Sequence, residues 1–250
     1  MSLERELHGP VLLLTINRPA QRNALDPATM AAIGAALAEA EQDPAIRCIV
    51  FTGAGDRAFC AGMDLKAFAQ GGMDLKDGKT GLEIFTQEIY PKPIVAAVNG
   101  SAVGGGFELM LACDLVVAAD HAVFGTPEVK VGLFAAGGGT RLPRRIPLAI
   151  ALELGLTGDL IDAGRAQALG LVNRVVPGAR VLDEALALAT RIAANAPLGL
   201  AVTKRLMMEE LGAGPWAEIA QTCLSLMQSE DAREGAAAFA GKRPPVWKGR

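Results

Sequence analysis

The stretch from Ile94 to Ala119 is almost wholly apolar, yet it holds Asn99, Glu108, Asp114 and a knot of glycines at Gly104-Gly105-Gly106. A membrane span would have to bury both carboxylates in hydrocarbon. A buried strand, a glycine loop and a helix explain the run instead. Ile94–Val98 reads as the strand, Gly100–Gly106 as the loop, Phe107 to Leu111 as the helix and Asp114–Ala118 as the next strand. Strand, loop, helix, strand is the order of an α/β fold.

The rest of the chain fits that class. Val11–Ile16 is a strand ending at Asn17-Arg18-Pro19. Asp26-Pro27 marks the start of a helix reaching about Gln42. Cys48–Phe51 is a second strand, and Gly71–Gly81 a polar surface segment. Asp162 caps a helix that stops at Gly170, with a strand over Leu171–Val176. Beyond Pro177 the pattern turns helical: Val181–Ala194, Leu198–Leu211, Trp216–Gln228 and Asp231–Ala240. This gives a core over residues 1–195 and a helical subdomain over 196–250, whose wide apolar faces point to subunit contact.

Composition removes several function classes. With 250 residues, 51% of them hydrophobic, the chain can bury a full core. A net charge of −3 with no basic stripe argues against nucleic acid. The four cysteines show no CxxC spacing and read as buried thiols of a reducing, cytoplasmic protein. Cys60 adjoins a glycine loop but has no evident base. Only His8 and His121 are available, with no HExxH and no GxSxG, so neither a zinc site nor a serine triad is expected. GxGxxG and GxxxxGK[ST] are also absent. No charged leader precedes an apolar run at the start, so no secretory signal is expected.

Three segments carry chemistry. Gly104-Gly105-Gly106 precedes a helix whose first N–H groups are unpaired, which makes a seat for an anion or oxyanion. Glu108 falls in the first turn of that helix among apolar neighbours. Glu128 follows Gly125-Thr126-Pro127, and Phe59-Cys60-Ala61-Gly62-Met63-Asp64-Leu65 supplies another glycine-bearing loop. Two carboxylates beside exposed amides can move protons next to a stabilised oxyanion.

These segments, with Asn23-Ala24-Leu25, Cys113-Asp114, Gly138-Gly139-Thr140, Gly170-Leu171-Val172 and Phe239 to Pro245, resemble the enoyl-CoA hydratase/isomerase, or crotonase, family nearly end to end. The resemblance implies a spiral of ββα units, a helical C-terminal part that builds trimers or hexamers, and acyl-CoA thioester substrates without a further cofactor or metal. It implies an oxyanion hole from the amides of Ala61 and Gly105. Glu108 would be the water-activating base and Glu128 the proton partner in hydration of a 2-trans-enoyl-CoA. CoA contacts would come from Arg22, Ala24, Ala61, Gly62, Met63, Asp64, Leu65, Gly105 and Lys242, and an acyl tunnel from Met63, Leu65, Phe68 and Phe85. Ala135-Ala136 stands where many hydratases have Pro-Gly, which bears on the reaction. The alternatives are an isomerase or related acyl-CoA enzyme, and a non-catalytic acyl-CoA-binding protein.

Overall fold

The computed structural model describes residues 1–69, 82–86, 89–210, 224, 227–243 and 246. Strands β1 (Leu3–His8) and β2 (Val11–Ile16) form an antiparallel hairpin. Helix α1 (Pro27–Gln42) follows, with the Asp26 carboxylate accepting from Thr29 N at 2.8 Å and Pro27 at the first helical position. Next come β3 (Cys48–Gly53), β4 (Ala58–Cys60) and the short helices α2 (Leu65–Ala69) and α3 (Glu83–Thr86). Then β5 (Ile94–Val98), β6 (Ser101–Val103), α4 (Gly105–Ala112), β7 (Leu115–Ala119) and β8 (Val123–Gly125) run in order. A 3₁₀ turn over Pro127–Val131 and another over Gly139–Arg144 lead to α5 (Leu148–Thr157), β9 (Ile161–Asp162), α6 (Ala163–Ala168) and β10 (Arg174–Val176). Helices α7 (Val181–Ala193), α8 (Pro197–Glu210) and α9 (Glu230–Ala240) close the described chain.

The strands sort into two sheets. The larger has order β1-β2-β3-β5-β7-β10 and is parallel from β2 onward; the smaller has order β4-β6-β8-β9. Sequence order alternates between them: β3 large, β4 small, helix; β5 large, β6 small, helix; β7 large, β8 small, 3₁₀ turn. This is the expected α/β spiral of ββα units with helices following it. β3 and β5 are buried at every residue, which is why they read as unbroken apolar runs and not as alternating ones.

The three small-sheet strands β4, β6 and β8 are parallel, pairing Cys60 with Ala102, Ala102 with Phe124 and Val103 with Gly125. Their C-terminal ends therefore share one edge. From that edge leave Ala61–Asp64, Gly104 and Thr126–Glu128, which are the three segments singled out for chemistry. The parallel register brings them together, as it does at the strand ends of other α/β sheets.

Several boundaries differ from expectation. The segment 100–106, read as loop, contains β6, and β8 was not foreseen; strands of three residues carry too little pattern to detect. The strand expected over Leu171–Val176 is confined to Arg174–Val176, because Gly170 and Leu171 bond back to α6. The expected polar segment Gly71–Gly81 and most of the expected helix Trp216–Gln228 lie outside the described residues. Among the described residues, no single helix is long and apolar enough to cross a membrane.

Candidate active site

The second glycine loop packs against the first with almost no room between them. Gly104 caps α4 with φ +59, and a methyl there would sit 3.3 Å from Glu128 Oε1. A methyl on Gly106 would lie 2.0 Å from the Cys60 carbonyl oxygen, so α4 can seat on β4 only with glycine at that position. A methyl on Gly62 would lie 2.8 Å from Gly105 N. The backbones of 62–63 and 104–106 thus touch directly.

The amides at this contact decide the oxyanion hole. The N–H of Ala61, expected to be one donor, already donates to the Arg22 carbonyl at 3.1 Å. Gly62 N donates to Cys60 Sγ at 3.4 Å and Asp64 N to the Leu25 carbonyl at 3.0 Å. Met63 forms a parallel bridge with Leu25, using Leu25 N to the Gly62 carbonyl at 2.7 Å and the Asp64 bond. Met63's own N–H faces away from that bridge and has no acceptor among the described residues. It lies 3.6 Å from the position a Gly105 methyl would take. Gly105 N is the first amide of α4 and has no intrahelical acceptor. Met63 and Gly105 thus carry amides without an acceptor among the described residues, whereas the Ala61 N–H, expected as an oxyanion donor, is engaged by Arg22.

Asp64, expected as a CoA contact, also bonds within the chain. Its Oδ1 accepts from Lys66 N and Ala67 N, both at 3.2 Å, and caps α2; its Oδ2 pairs with Arg18 at 3.1 Å. Its amide and both carboxylate oxygens are thus engaged within the chain. Arg18 also holds Asp26 at 3.1 Å and the Ala24 carbonyl. Asn23 is fully buried and donates to the Ala58 carbonyl at 2.7 Å and the Ala54 carbonyl at 3.0 Å. Sequence reasoning gave Arg18 and Asn23 no role; their only signal was their place in Asn17-Arg18-Pro19 and Asn23-Ala24-Leu25.

Arg22 and Lys242 are exposed, both with left-handed φ, and Arg22 lines a cleft of about 130 Å³ with Pro19, Asn23, Gly55, Asp56 and Arg57. Ala24 and Gly62 are buried, while Met63 and Leu65 are half-buried. Phe85, expected along an acyl tunnel, packs in the core with its ring 6.3 Å from that of Phe51. The side chain of Phe68 lies outside the described residues. Burial pushes the Cys60 thiol up to about 12, which disfavours the thiolate.

Glu108 and Glu128 come together. A methyl on Gly139 would lie 3.3 Å from both Glu108 Oε1 and Thr126 Cγ2, so Gly139 stands between the two carboxylate-bearing segments. Gly139 N donates to Glu108 Oε1 at 2.9 Å, and the amides of Gly137 and Gly138 also stabilise the charged carboxylate. Burial outweighs them and holds Glu108 well above the usual glutamate range. Glu128 is raised as well, first by burial and then by the charge of Glu108. Its Oε2 is buried with no hydrogen-bond partner among the described residues. Of the pair, Glu108 has the donors that favour the anion, and Glu128 has a bare oxygen suited to a proton.

Two amides without acceptors among the described residues thus lie beside two buried, interacting carboxyls. The family model described as Enoyl-CoA hydratase/isomerase matches residues 6–250. The chain is 41% identical over 259 residues to a carnitinyl-CoA dehydratase of Salmonella enteritidis, covering 100% of this chain and 99% of that one. A carnitinyl-CoA hydratase structure from Mycobacterium avium superposes with TM-score 0.91 at 46% identity, covering 100% of this chain and 99% of its own. An enoyl-CoA hydratase structure from Mycobacterium tuberculosis matches with TM-score 0.79, also at 46% identity and with the same coverage. The chain belongs to the enoyl-CoA hydratase/isomerase family.

The raised carboxyls set a pH dependence of stability. Both folded-state values lie above the unfolded value of about 4.3, so the native state holds the protons more tightly. The stability this adds is complete below the unfolded value and is lost as pH rises through the raised folded values. The doubly substituted Glu108→Gln, Glu128→Gln protein lacks that loss. Thermal unfolding of both proteins across this range should show the variant gaining on wild type as pH rises, and the gap closing toward about pH 4.

Proposed function

We propose that this chain is an enoyl-CoA hydratase that adds water to the same face of a 2-trans-enoyl-CoA at C2 and C3, giving a 3-hydroxyacyl-CoA. The observation that carries the reading is the pairing of Glu108 and Glu128 in one buried site beside two unpartnered amides. It makes the protein a hydro-lyase. The thioester oxygen sits between Met63 N and Gly105 N. Glu108, supported by three glycine amides, takes a proton as the water oxygen attacks C3. Charge gathers on the thioester oxygen, where one such donor is worth about 2.7–4 kcal/mol. Glu128 gives its proton to C2, and a proton passing from Glu108 to Glu128 resets the pair. A non-catalytic acyl-CoA binder would need neither buried carboxyl. Arg22 and Lys242 supply positive charge for the CoA phosphates.

A second reading concerns the acyl group. Full-length identity of 41% and 43% to carnitinyl-CoA dehydratases of two genera favours a carnitinyl thioester, dehydrated by the same steps in reverse. Kinetics on crotonyl-CoA and carnitinyl-CoA separate the two. The substrate with the higher kcat/KM identifies the preferred acyl group, and on it kcat should fall about 10²–10⁴-fold with Glu108→Gln or Glu128→Gln. Isomerisation of a 3-enoyl-CoA by Glu108→Gln at the wild-type rate, with no hydration by wild type, would replace the hydratase by an isomerase.

We also propose a cytoplasmic homo-oligomer, trimer or hexamer, built around residues 196–250. In support, α8 leaves Leu198, Val202, Leu206 and Met207 exposed, and α5 leaves Leu148, Leu152 and Leu156 exposed, each at helical spacing. Such stripes on an otherwise packed chain mark contact faces. Light scattering should give a trimeric or hexameric mass for wild type and a smaller one for the Leu152→Glu, Leu206→Glu protein; a monomeric wild type would contradict the proposal.

A further inference from the structure

Helix α9 reaches the site from outside it. It packs on the 3₁₀ turn Pro127–Val131 and on α2. It therefore bridges the segment carrying Glu128 and the segment that follows the free amide of Met63. Its contact with the turn is backbone on backbone. Gly235 is buried, and a methyl there would lie 2.0 Å from the Val131 carbonyl oxygen and 2.5 Å from the carbonyl carbon. No side-chain rotation relieves such a clash; the helix or the turn must move.

Backbone bonds tie the end of the turn to Glu128. The Glu128 carbonyl accepts from Gly132 N and from Leu133 N at 3.0 Å, so a push at Val131 is carried to Glu128. Bonds within residues 229–246 hold the helix and the chain after it in shape. Ser229 Oγ accepts from Ala232 N at 3.0 Å. Glu234, next to Gly235, receives two bonds from Arg243 at 2.6 and 2.8 Å and one from Val246 N at 2.8 Å.

We propose that Gly235 is a positioning residue for Glu128: its bare Cα lets α9 sit flush on the 127–131 turn, and that seat sets where the Glu128 carboxyl stands against Glu108 and C2 of the thioester. This rests on the proton role assigned to Glu128 above, and the test separates the two. A double-mutant cycle on kcat uses wild type, Gly235→Ala, Glu128→Gln and the combined variant, with KM and the kcat–pH profile measured alongside. Gly235→Ala should lower kcat by about 10- to 100-fold, the cost of roughly 1 Å of misplacement, with KM within about twofold and the limb due to Glu128 displaced. Added to Glu128→Gln, it should cost nothing further. Gly164→Ala, whose new methyl meets only Asp162 Oδ1 at 3.5 Å, serves as the helix-glycine control with wild-type kinetics. Should Gly235→Ala not fold, Ala236→Gly, which loosens α9 beside the same contact, goes through the same cycle. Wild-type kcat in the Gly235 variant, or the same fold-loss in both backgrounds, overturns the positioning role alone. Wild-type kcat in Glu128→Gln overturns the role of Glu128 and this inference with it.

Discussion

Direct contact between the backbone of residues 62–63 and the first turn of α4 is the constraint on which the site rests. Side chains would hold the two loops apart: a methyl at Gly62 meets Gly105 N, and one at Gly106 meets the Cys60 carbonyl. With glycine at these places, two amides from distant parts of the chain come close together. The parallel pairing of β4, β6 and β8 supplies the third member of the cluster, because the strand after β6 in that sheet ends three residues before Glu128. A spiral of short strands therefore performs the assembly that a single loop could not.

Burial of the carboxyls has opposite effects on stability and on chemistry. It holds both above their ordinary range, which weakens the folded state as pH rises and keeps a proton available near neutrality. The environments are unequal. Three glycine amides stand around Glu108, whereas one oxygen of Glu128 has no partner among the described residues. The proposed division into base and acid rests on this asymmetry between two chemically identical side chains. Because the groups interact, their protons belong to the pair.

Much of this was legible in the sequence, for physical reasons. Glu108 stood out because a charged residue in so apolar a helix needs a purpose, and Asp26-Pro27 because capping chemistry is local. The choice of amide in Ala61–Asp64 was not legible. Gly62 takes φ +83 and gives its N–H to Cys60 Sγ, while the long-range bridge to Leu25 engages the N–H of Asp64. Only tertiary contact assigns the free amide to Met63 and engages Ala61 with Arg22. Likewise Asp64 spends its carboxylate on α2 and Arg18, a use that a motif alone does not distinguish from ligand binding. The strands β6 and β8 went unseen because three residues show no period.

A crystal structure with a bound 3-hydroxyacyl-CoA tests the central claim most directly. The thioester oxygen is expected at hydrogen-bond distance, about 2.7–3.1 Å, from both Met63 N and Gly105 N, with the Glu108 and Glu128 carboxyls on the same face of C2 and C3. A thioester oxygen bound elsewhere, or carboxyls on opposite faces of the acyl chain, would contradict it.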